Sequence, residues 1–208
     1  MEIDLETVTI GDQIWMLKNL DVQTFNNGDS IPLIENDTDW KNQSPIIIGE
    51  SKAASCYYNN VNDTTIPYGR LYNWHAIVDP RGLAPAGWRI ATVQDWEALF
   101  SFLGDNFHES IIDPTHWNPK KTSWLDNLFG YKLPKKEFTN ASGLSVLPGG
   151  MRSELGSFFN LKDRAYFWCA SESILTGEPY HLEIDGFLKN YISSYHTGEG
   201  LSVRCVKI

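Results

Sequence analysis

The strongest indication of the fold lies in Gly198-Glu199-Gly200-Leu201-Ser202-Val203-Arg204-Cys205-Val206-Lys207-Ile208. Its glycine-rich start predicts a turn, and residues 201–206 predict a strand. Residues 144–147, 165–170 and 180–184 are also short and extended, and glycine-containing turns separate them. This succession predicts an antiparallel sheet with hairpin connections in the second half of the chain.

The N-terminal residues predict a β-hairpin. Val8-Thr9-Ile10 and Gln13-Ile14-Trp15-Met16-Leu17 flank Gly11-Asp12, and glycine adopts the positive φ of a tight turn at little cost. Asn26-Asn27-Gly28-Asp29-Ser30 predicts a second turn, because Asn and Asp side chains bond to their own backbone. Residues 37–50 are polar apart from one apolar burst, and we expect them to be mostly loop.

One main helix is predicted at about residues 92–103. Thr92 can cap its first turn, Asp95 stands at the capping-box position, and Gly104 can end it. Apolar residues follow at helical spacing: Val93, Trp96, Leu99, Phe100 and Leu103. A second, shorter pattern runs through Leu71, Trp74, His75 and Val78. It predicts either a short helix or an irregular packed segment.

At 208 residues the chain fits a single domain over 1–208. Residues 105–139 contain three prolines and two tryptophans, which is typical of loops laid over a core or of an insertion. Many aromatic residues together with many glycines favour a loop-rich α+β fold. Five tryptophans stand among apolar residues and tight turns, and we expect them in the core: Trp15, Trp74, Trp88, Trp96 and Trp168.

The charge of the chain argues against two classes of partner. Lys and Arg number 17 against 26 Asp and Glu, a net charge of -9, which repels nucleic acid and acidic membrane surfaces. The longest apolar stretches are strand-sized, so we expect no direct membrane insertion. Residues 1–6 are acidic where a signal peptide is basic. Export would therefore use another element or a signal absent from the given chain.

An ordered set of motifs carries a resemblance to a known family. It includes Cys56-Tyr57-Tyr58-Asn59-Asn60, Gly69-Arg70-Leu71-Tyr72-Asn73-Trp74 and Leu147-Pro148-Gly149-Gly150-Met151-Arg152. Further matching stretches occur in the same order at residues 11–20, 83–92, 95–97, 139–144, 166–168 and 202–206. Together they resemble the Fibrobacter succinogenes major paralogous domain, a module of bacterial surface and secreted proteins. The resemblance covers residues 8–208.

The resemblance implies a compact α+β domain with a C-type-lectin-like fold, similar also to formylglycine-generating enzymes. It implies paired N- and C-terminal strands, an antiparallel sheet with one main helix, and long loops at one end. Such scaffolds often bind ligands through loops, although a fold alone does not define a function. We therefore expect an extracellular or cell-surface protein that binds a glycan or a surface protein, with a role in carbohydrate binding or adhesion.

The three cysteines leave two interpretations open. Cys56 and Cys205 stand where the family pattern has cysteine, and a bridge between them would suit an exported protein. The alternative is a pair of buried thiols. Cys169 is interpreted as a small buried hydrophobe.

No catalytic set is predicted. The cysteine pair of formylglycine-generating enzymes has no counterpart, and no signature places His75, His181 or His196 beside a cysteine. We therefore expect a protein that is not an enzyme, and we rank an enzyme resembling formylglycine-generating enzymes third, after a binding module and an assembly module.

No cofactor or metal site is predicted either. Calcium is the natural ion for a lectin-like domain, and two groups supply oxygen donors: Asn59, Asn60, Asn62 and Asp63, and Asp105, Glu109 and Asp113. Neither has the spacing of an EF-hand. Turn chemistry is the better interpretation of the first group.

The predicted ligand-binding residues lie between the last strands. They are Tyr180, His181, Asn190, Tyr191, Tyr195 and His196, with Glu199 nearby. Tyrosine offers a flat apolar face that stacks on a sugar or a peptide, and a hydroxyl that orients the ligand. The alternative is that these tyrosines cover a half-buried face of the sheet. A structural module that assembles a larger surface complex is the second function that the sequence supports.

Overall fold

The computed structural model describes residues 5–43, 50–62, 68–118, 137–185, 190–194 and 196–208. Within these ranges the protein is α+β, as predicted, with antiparallel sheets of four, three, two and two strands. The helices are short except for one. The described residues contain no helix that is long and apolar enough to cross a membrane.

The four-stranded sheet joins the two ends of the chain. Its order is β1 (Thr7–Ile10), β2 (Gln13–Met16), β11 (Cys205–Lys207) and β5 (Trp88–Ile90). Strands β1 and β2 form the predicted hairpin, and Gly11 between them has a φ of 58°. Val206 pairs with both Trp15 and Arg89. The pairing of N- and C-terminal strands that the resemblance implies is therefore confirmed.

The three-stranded sheet has the order β10 (Asn190–Ser194), β9 (Pro179–Asp185) and β8 (Arg164–Glu172). All its pairs are antiparallel, as predicted. Its register is irregular between Trp168 and Glu172. Alternate residues of these strands face opposite sides, which decides where the candidate site can form.

Two of the predicted strands differ from the structure. Residues 144–147 make only a single bridge, between Ile112 and Val146. The preceding Ser145 has a φ of 55°, which interrupts an extended backbone. Strand β11 begins at Cys205, while Leu201 and Ser202 make isolated bridges to Tyr72 and Phe167.

Two short ladders complete the sheets. Strand β3 (Ser55–Cys56) pairs with β4 (Leu71–Tyr72). Strand β6 (Met151–Arg152) pairs with β7 (Phe158–Phe159). The β6–β7 hairpin forms one side of the cleft described below.

The main helix is α3 (Val93–Leu103), which confirms the predicted helix. The Thr92 side chain caps it, Asp95 completes the capping box, and Gly104 is the C-cap. The other helices are α1 (Asp37–Lys41), α2 (Trp74–Ile77) and α4 (Phe107–Ile111), with 3₁₀ turns at Tyr58–Asn60 and Gly104–Asn106.

Helix α2 is the second short helix predicted from the sequence. Helix α1 lies in a segment that we expected to be mostly loop. There the Asn36 side chain accepts hydrogen bonds from Thr38 N and Asp39 N, and this cap holds a single helical turn that buries Trp40.

The core consists of three clusters, and β8 lies between the two larger ones. Tyr166 and Trp168 contribute to a cluster with Trp74 and Cys205. Residues on the other face of β8 join a cluster with Trp15 and Trp96. A small third cluster surrounds Trp40 and Cys56. Of the five tryptophans expected in the core, four are buried, and Trp88 is half-buried against the first cluster.

Two buried arginines connect distant segments. Arg152 donates to Gly156 O at 2.9 Å and to Asp37 Oδ1 at 2.8 Å, and its guanidinium lies over the Trp40 ring. Arg204 donates to three backbone carbonyls and to the side chain of Asn19. Buried charges need such partners, because an isolated charge is costly to remove from water.

The segment 105–139 is described at residues 105–118 and 137–139. Ile111, Ile112 and Trp117 are buried in the core within it, and Trp117 donates a hydrogen bond to Val146 O at 3.2 Å. The described part of this segment therefore contributes to the core.

Candidate ligand-binding cleft

A cleft of about 620 Å³ opens beside the three-stranded sheet. It lies between the β6–β7 hairpin, the first residues of β8, strand β9 and the loop that precedes β11. Four glutamates line it: Glu154, Glu178, Glu183 and Glu199. The volume falls in the usual range for sites that bind small molecules.

The remaining lining residues are mostly polar. Ser153, Asn160, Arg164 and His196 add hydroxyl, amide, guanidinium and imidazole groups, and Met151, Phe159 and Tyr166 complete the lining. Together with the four glutamates, eleven side chains line the cleft. Eight of the eleven are polar or charged if Tyr166 is counted as aromatic. The cleft is therefore suited to a ligand that is rich in hydrogen-bonding groups rather than to an apolar one.

Glu199 is fixed by the glycines on either side of it. Gly198 O accepts a hydrogen bond from Trp40 Nε1 at 3.1 Å. Gly200 exchanges two backbone hydrogen bonds with Arg152, at 2.8 and 2.9 Å. A Cβ atom at residue 200 would lie 2.9 Å from the Trp40 ring, so only glycine lets the chain approach so closely. These contacts set the position of the carboxyl group.

The carboxyl group of Glu199 is buried and incompletely paired. Only 3% of the residue is exposed, and its Oε2 has no hydrogen-bond partner among the described residues. Burial, with a smaller contribution from the nearby Glu154 carboxylate, raises the pKa of Glu199 to about 9. The acid is therefore protonated at neutral pH and can donate a hydrogen bond.

A second carboxyl of the cleft is already paired. The Arg164 guanidinium donates a hydrogen bond to Glu183 across β8 and β9. Tyr166 stands directly opposite Glu183 in the ladder, and its hydroxyl accepts a hydrogen bond from Asn160 Nδ2 at 2.7 Å. Arg164 is thus engaged with Glu183, while Glu199 Oε2 has no hydrogen-bond partner among the described residues.

The model of the Fibrobacter succinogenes major domain family matches residues 8–207. The chain belongs to this family. No match was found among curated proteins or among solved structures.

In this Fibrobacter succinogenes major domain, the described side chains among the residues predicted to bind ligand lie in different places. His196 lines the cleft. His181 lies behind it, 1% exposed, with its ring 6.1 Å from that of Tyr166. Burial lowers the pKa of His181 to about 4, although a hydrogen bond with the Ser193 backbone acts in the opposite direction. Tyr180 packs against the cluster of Trp15 and Trp96, on the other face of β9.

The other predicted residues lie at or beyond strand β10. Asn190 pairs with Ile184 and Tyr191 pairs with Glu183 in the ladder. Tyr191 is thereby in register with a residue that lines the cleft. Tyr195 lies outside the described residues.

All three cysteines are free and buried. The predicted alternative of a Cys56–Cys205 bridge is therefore absent from the structure, because Cys56 and Cys205 belong to separate core clusters. Burial raises the pKa of each thiol, including Cys169, to about 12. Neutral buried thiols of this kind are poor nucleophiles.

The first of the two groups considered for calcium shows turn geometry. Asn59 and Asn60 have φ values of 51° and 58°, and Asn60 Nδ2 donates to Glu35 O at 2.6 Å. Within the described part of the chain, no group of three or more His, Cys, Asp or Glu side chains is arranged to hold a metal ion. Asp63 lies outside that part.

The sequence pattern did not single out most of the residues that line the cleft. Glu183 alternates with Leu182 and Ile184 in β9, so an acid on the face opposite the apolar residues was a usable signal. Glu199 was named beside the predicted residues, and it stands between Gly198 and Gly200 just before a buried segment. Glu154 and Glu178 lie in turns, where an acidic residue is too common to be informative.

Proposed function

We propose that the protein is a non-enzymatic recognition module that binds a glycan in this cleft. We further propose that it acts in an exported or surface-associated bacterial protein, without a cofactor. The observation that carries the proposal is the buried Glu199 carboxyl, which lines a polar cleft and has an unpaired Oε2. A buried polar atom without a partner costs stability, and a bound ligand is one way to satisfy it.

The composition of the cleft favours a sugar. Carboxyl, amide and hydroxyl groups hydrogen-bond to the hydroxyls of a sugar, and an aromatic side chain packs against its apolar face. Phe159, 48% exposed beside the cleft, supplies such a ring. Nucleic acid is disfavoured by the net charge of -9 and by the four glutamates.

Thiol chemistry is disfavoured at the positions where cysteine occurs. Each cysteine is buried with a pKa of about 12, and none of them lines the cleft. We therefore propose that no thiol-dependent reaction takes place on a bound glycan.

A structural role in assembly is the second candidate. Ile174 and Leu175, at the tip of the β8–β9 hairpin, are 100% and 95% exposed. Apolar side chains that are exposed together favour contact with another protein. Binding of a surface protein through this tip would leave the cleft free.

A glycan-array screen of the purified domain, with and without calcium, tests the proposal. Glu199→Gln keeps the shape of the side chain and removes its acid, and Glu154→Gln changes the neighbouring wall. Glu97→Gln is the matched control, because Glu97 is exposed on α3, away from the cleft. Circular dichroism and thermal unfolding establish that each variant folds.

We expect reproducible glycan binding that both cleft variants weaken and Glu97→Gln preserves. The same glycans incubated with the protein should show no new products by mass spectrometry. If no glycan binds, but an Ile174→Ser, Leu175→Ser variant loses an interaction with a surface protein, the assembly role replaces this proposal. A hydrolysed glycan would refute the non-enzymatic part.

The proposed location has its own test. An antibody against the domain should label intact cells of a bacterium that produces the protein. Labelling that requires permeabilised cells would contradict a surface location.

A further inference from the structure

We infer that the glycan carries a free, protonated amino group, and that this ammonium pairs with the Glu199 carboxylate inside the cleft. The inference rests on the proposed function and narrows its ligand to glycans that contain an unacetylated amino sugar.

The hydrogen bonding of Glu199 favours a ligand that carries donors. Glu199 Oε2 is buried in the lining and lacks a hydrogen-bond donor among the described residues. Arg164 is engaged with Glu183. A ligand ammonium has three donors and no acceptor, so it can supply what Glu199 lacks and can contact a second acid at the same time.

The charges that face Glu199 favour a cation over an anion. Glu154 of the β6–β7 turn and Glu178 of the β8–β9 connection both line the cleft. Glu183 of β9 is balanced by Arg164 of β8, and His196 lies in the same loop as Glu199. With Glu199 protonated, Glu154 and Glu178 leave the cleft with a negative formal charge. A sulfated or carboxylated glycan would be repelled.

Binding of the ammonium changes the protonation of Glu199. Burial keeps the pKa of Glu199 at about 9 in the free protein, and an opposite charge in contact favours the ionised form. The O–H bond of Glu199 breaks on binding, its proton passes to the solvent buffer, and the carboxylate forms an ion pair with the ammonium. The number of protons released for each ligand bound therefore rises towards one as the pKa of the bound Glu199 falls below the pH of the titration.

Isothermal titration calorimetry with two matched oligosaccharides tests the inference. One is a glucosamine oligomer, and the other is the N-acetylglucosamine oligomer of the same length, in which an acetamide replaces each amine. Titrations at about pH 6, where the amine is largely protonated, are run in two buffers of different ionisation enthalpy, which gives the number of protons released.

We expect the glucosamine oligomer to bind at least roughly tenfold more tightly than its acetylated counterpart, as for a buried charge pair. Proton release should be seen with wild type and with Glu97→Gln. It should be lost in Glu199→Gln together with the preference for the amine. Should that variant fail to fold, Glu154→Gln provides a second readout, since removing a neighbouring negative charge should reduce the preference and retain proton release.

Three results overturn the inference. Equal or tighter binding of the acetylated oligomer, still weakened by the cleft variants, refutes the amino group and leaves glycan recognition standing. The same holds if the array yields only glycans without amines that bind in a cleft-dependent way. If no glycan binds at all, and a lysine-containing peptide does, both the inference and the proposed function fail.

Discussion

Arg152 and Glu199 lie on adjacent segments and both side chains are buried, but they differ in their hydrogen bonding. The guanidinium of Arg152 is fully buried and donates to Gly156 O, Ile34 O and Asp37 Oδ1. The carboxyl of Glu199 is nearly as buried, but its Oε2 has no hydrogen-bond partner in the described structure. A paired buried charge holds segments together, whereas an unpaired buried acid weakens the fold unless something binds it.

This contrast separates a structural region from a candidate functional one. The arginine contacts join α1 to the β6–β7 hairpin, and the hairpin in turn fixes Gly200 and the position of Glu199. The hydrogen-bonded region around Arg152 therefore positions the acid whose own interactions are incomplete. Such an arrangement is expected of a preorganised binding site.

Removing the paired guanidinium of Arg152 should have the largest effect on stability. Arg152→Met leaves the carbonyls of Ile34 and Gly156 without their donor, and we expect the free energy of unfolding to fall by about 3–5 kcal/mol. Urea unfolding followed by circular dichroism measures the change. Lys18→Met is the control, because the Lys18–Glu6 pair is exposed and should contribute at most about 1 kcal/mol. Similar losses in both variants would contradict a special role for Arg152.

Removing the unpaired carboxyl group of Glu199 should change the free energy of unfolding in the opposite direction. Unfolding lowers the pKa of Glu199 from about 9 towards its ordinary value of 4.5. Between these values the unfolded chain has lost a proton that the folded chain keeps, so wild-type stability falls by about 1.4 kcal/mol per pH unit as the pH rises. Below the ordinary value this penalty is absent.

Glu199→Gln lacks this titration. Its free energy of unfolding relative to wild type should therefore rise with pH, by about 3 kcal/mol between pH 4.5 and pH 7. Urea unfolding at several pH values measures the difference, with Glu97→Gln as the reference. A difference that does not vary with pH would show that Glu199 is not held protonated by the fold.

His181 should have a smaller effect on stability, and this effect appears at acidic pH. Its pKa is about 4 in the folded protein and 6.5 ordinarily, so the unfolded chain takes up a proton first as the pH falls. Stability should decrease by about 1.4 kcal/mol per pH unit below pH 6.5, or about 2 kcal/mol by pH 5. In His181→Gln this dependence should disappear, whatever the variant's stability at neutral pH. An unchanged acid slope would assign it to other groups.

The cysteines should respond least, because they titrate outside the ordinary range and make no bridge. Thiol reagent should label all three cysteines in denaturant without reductant, and none of them rapidly in the folded protein. Mass spectrometry counts the labels. A single labelled thiol under denaturing conditions would indicate a bridge between two of them, as the alternative interpretation of Cys56 and Cys205 holds.

Local signals predicted the elements that local contacts hold together. Gly11 forms the turn of the N-terminal hairpin. The side chains of Thr92 and Asp95 cap the main helix from positions at its own start. Helix α1 has a local cap at Asn36, but a distant contact that the sequence pattern does not show also supports it. The Trp40 side chain that it buries donates to Gly198 O, 158 positions along the chain.

The cleft was harder to predict for the same reason. Strand register brings Tyr166 opposite Glu183, while a backbone bridge between Arg152 and Gly200 brings Glu199 beside the β6–β7 hairpin. Neither contact is visible in the sequence. Among the described side chains of the predicted set, Tyr180 packs against the core and His196 lines the cleft, as does the neighbouring Glu199.

The most direct test is the protonation of Glu199 in the free and bound protein. Side-chain carboxyl carbons of ¹³C-labelled glutamate report ionisation by NMR, and the spectrum of Glu199→Gln assigns the resonance. We expect Glu199 to stay protonated at neutral pH and to titrate near 9, and to ionise when the glucosamine oligomer is added. A Glu199 that titrates near its ordinary value of 4.5, with no response to ligand, would contradict the account.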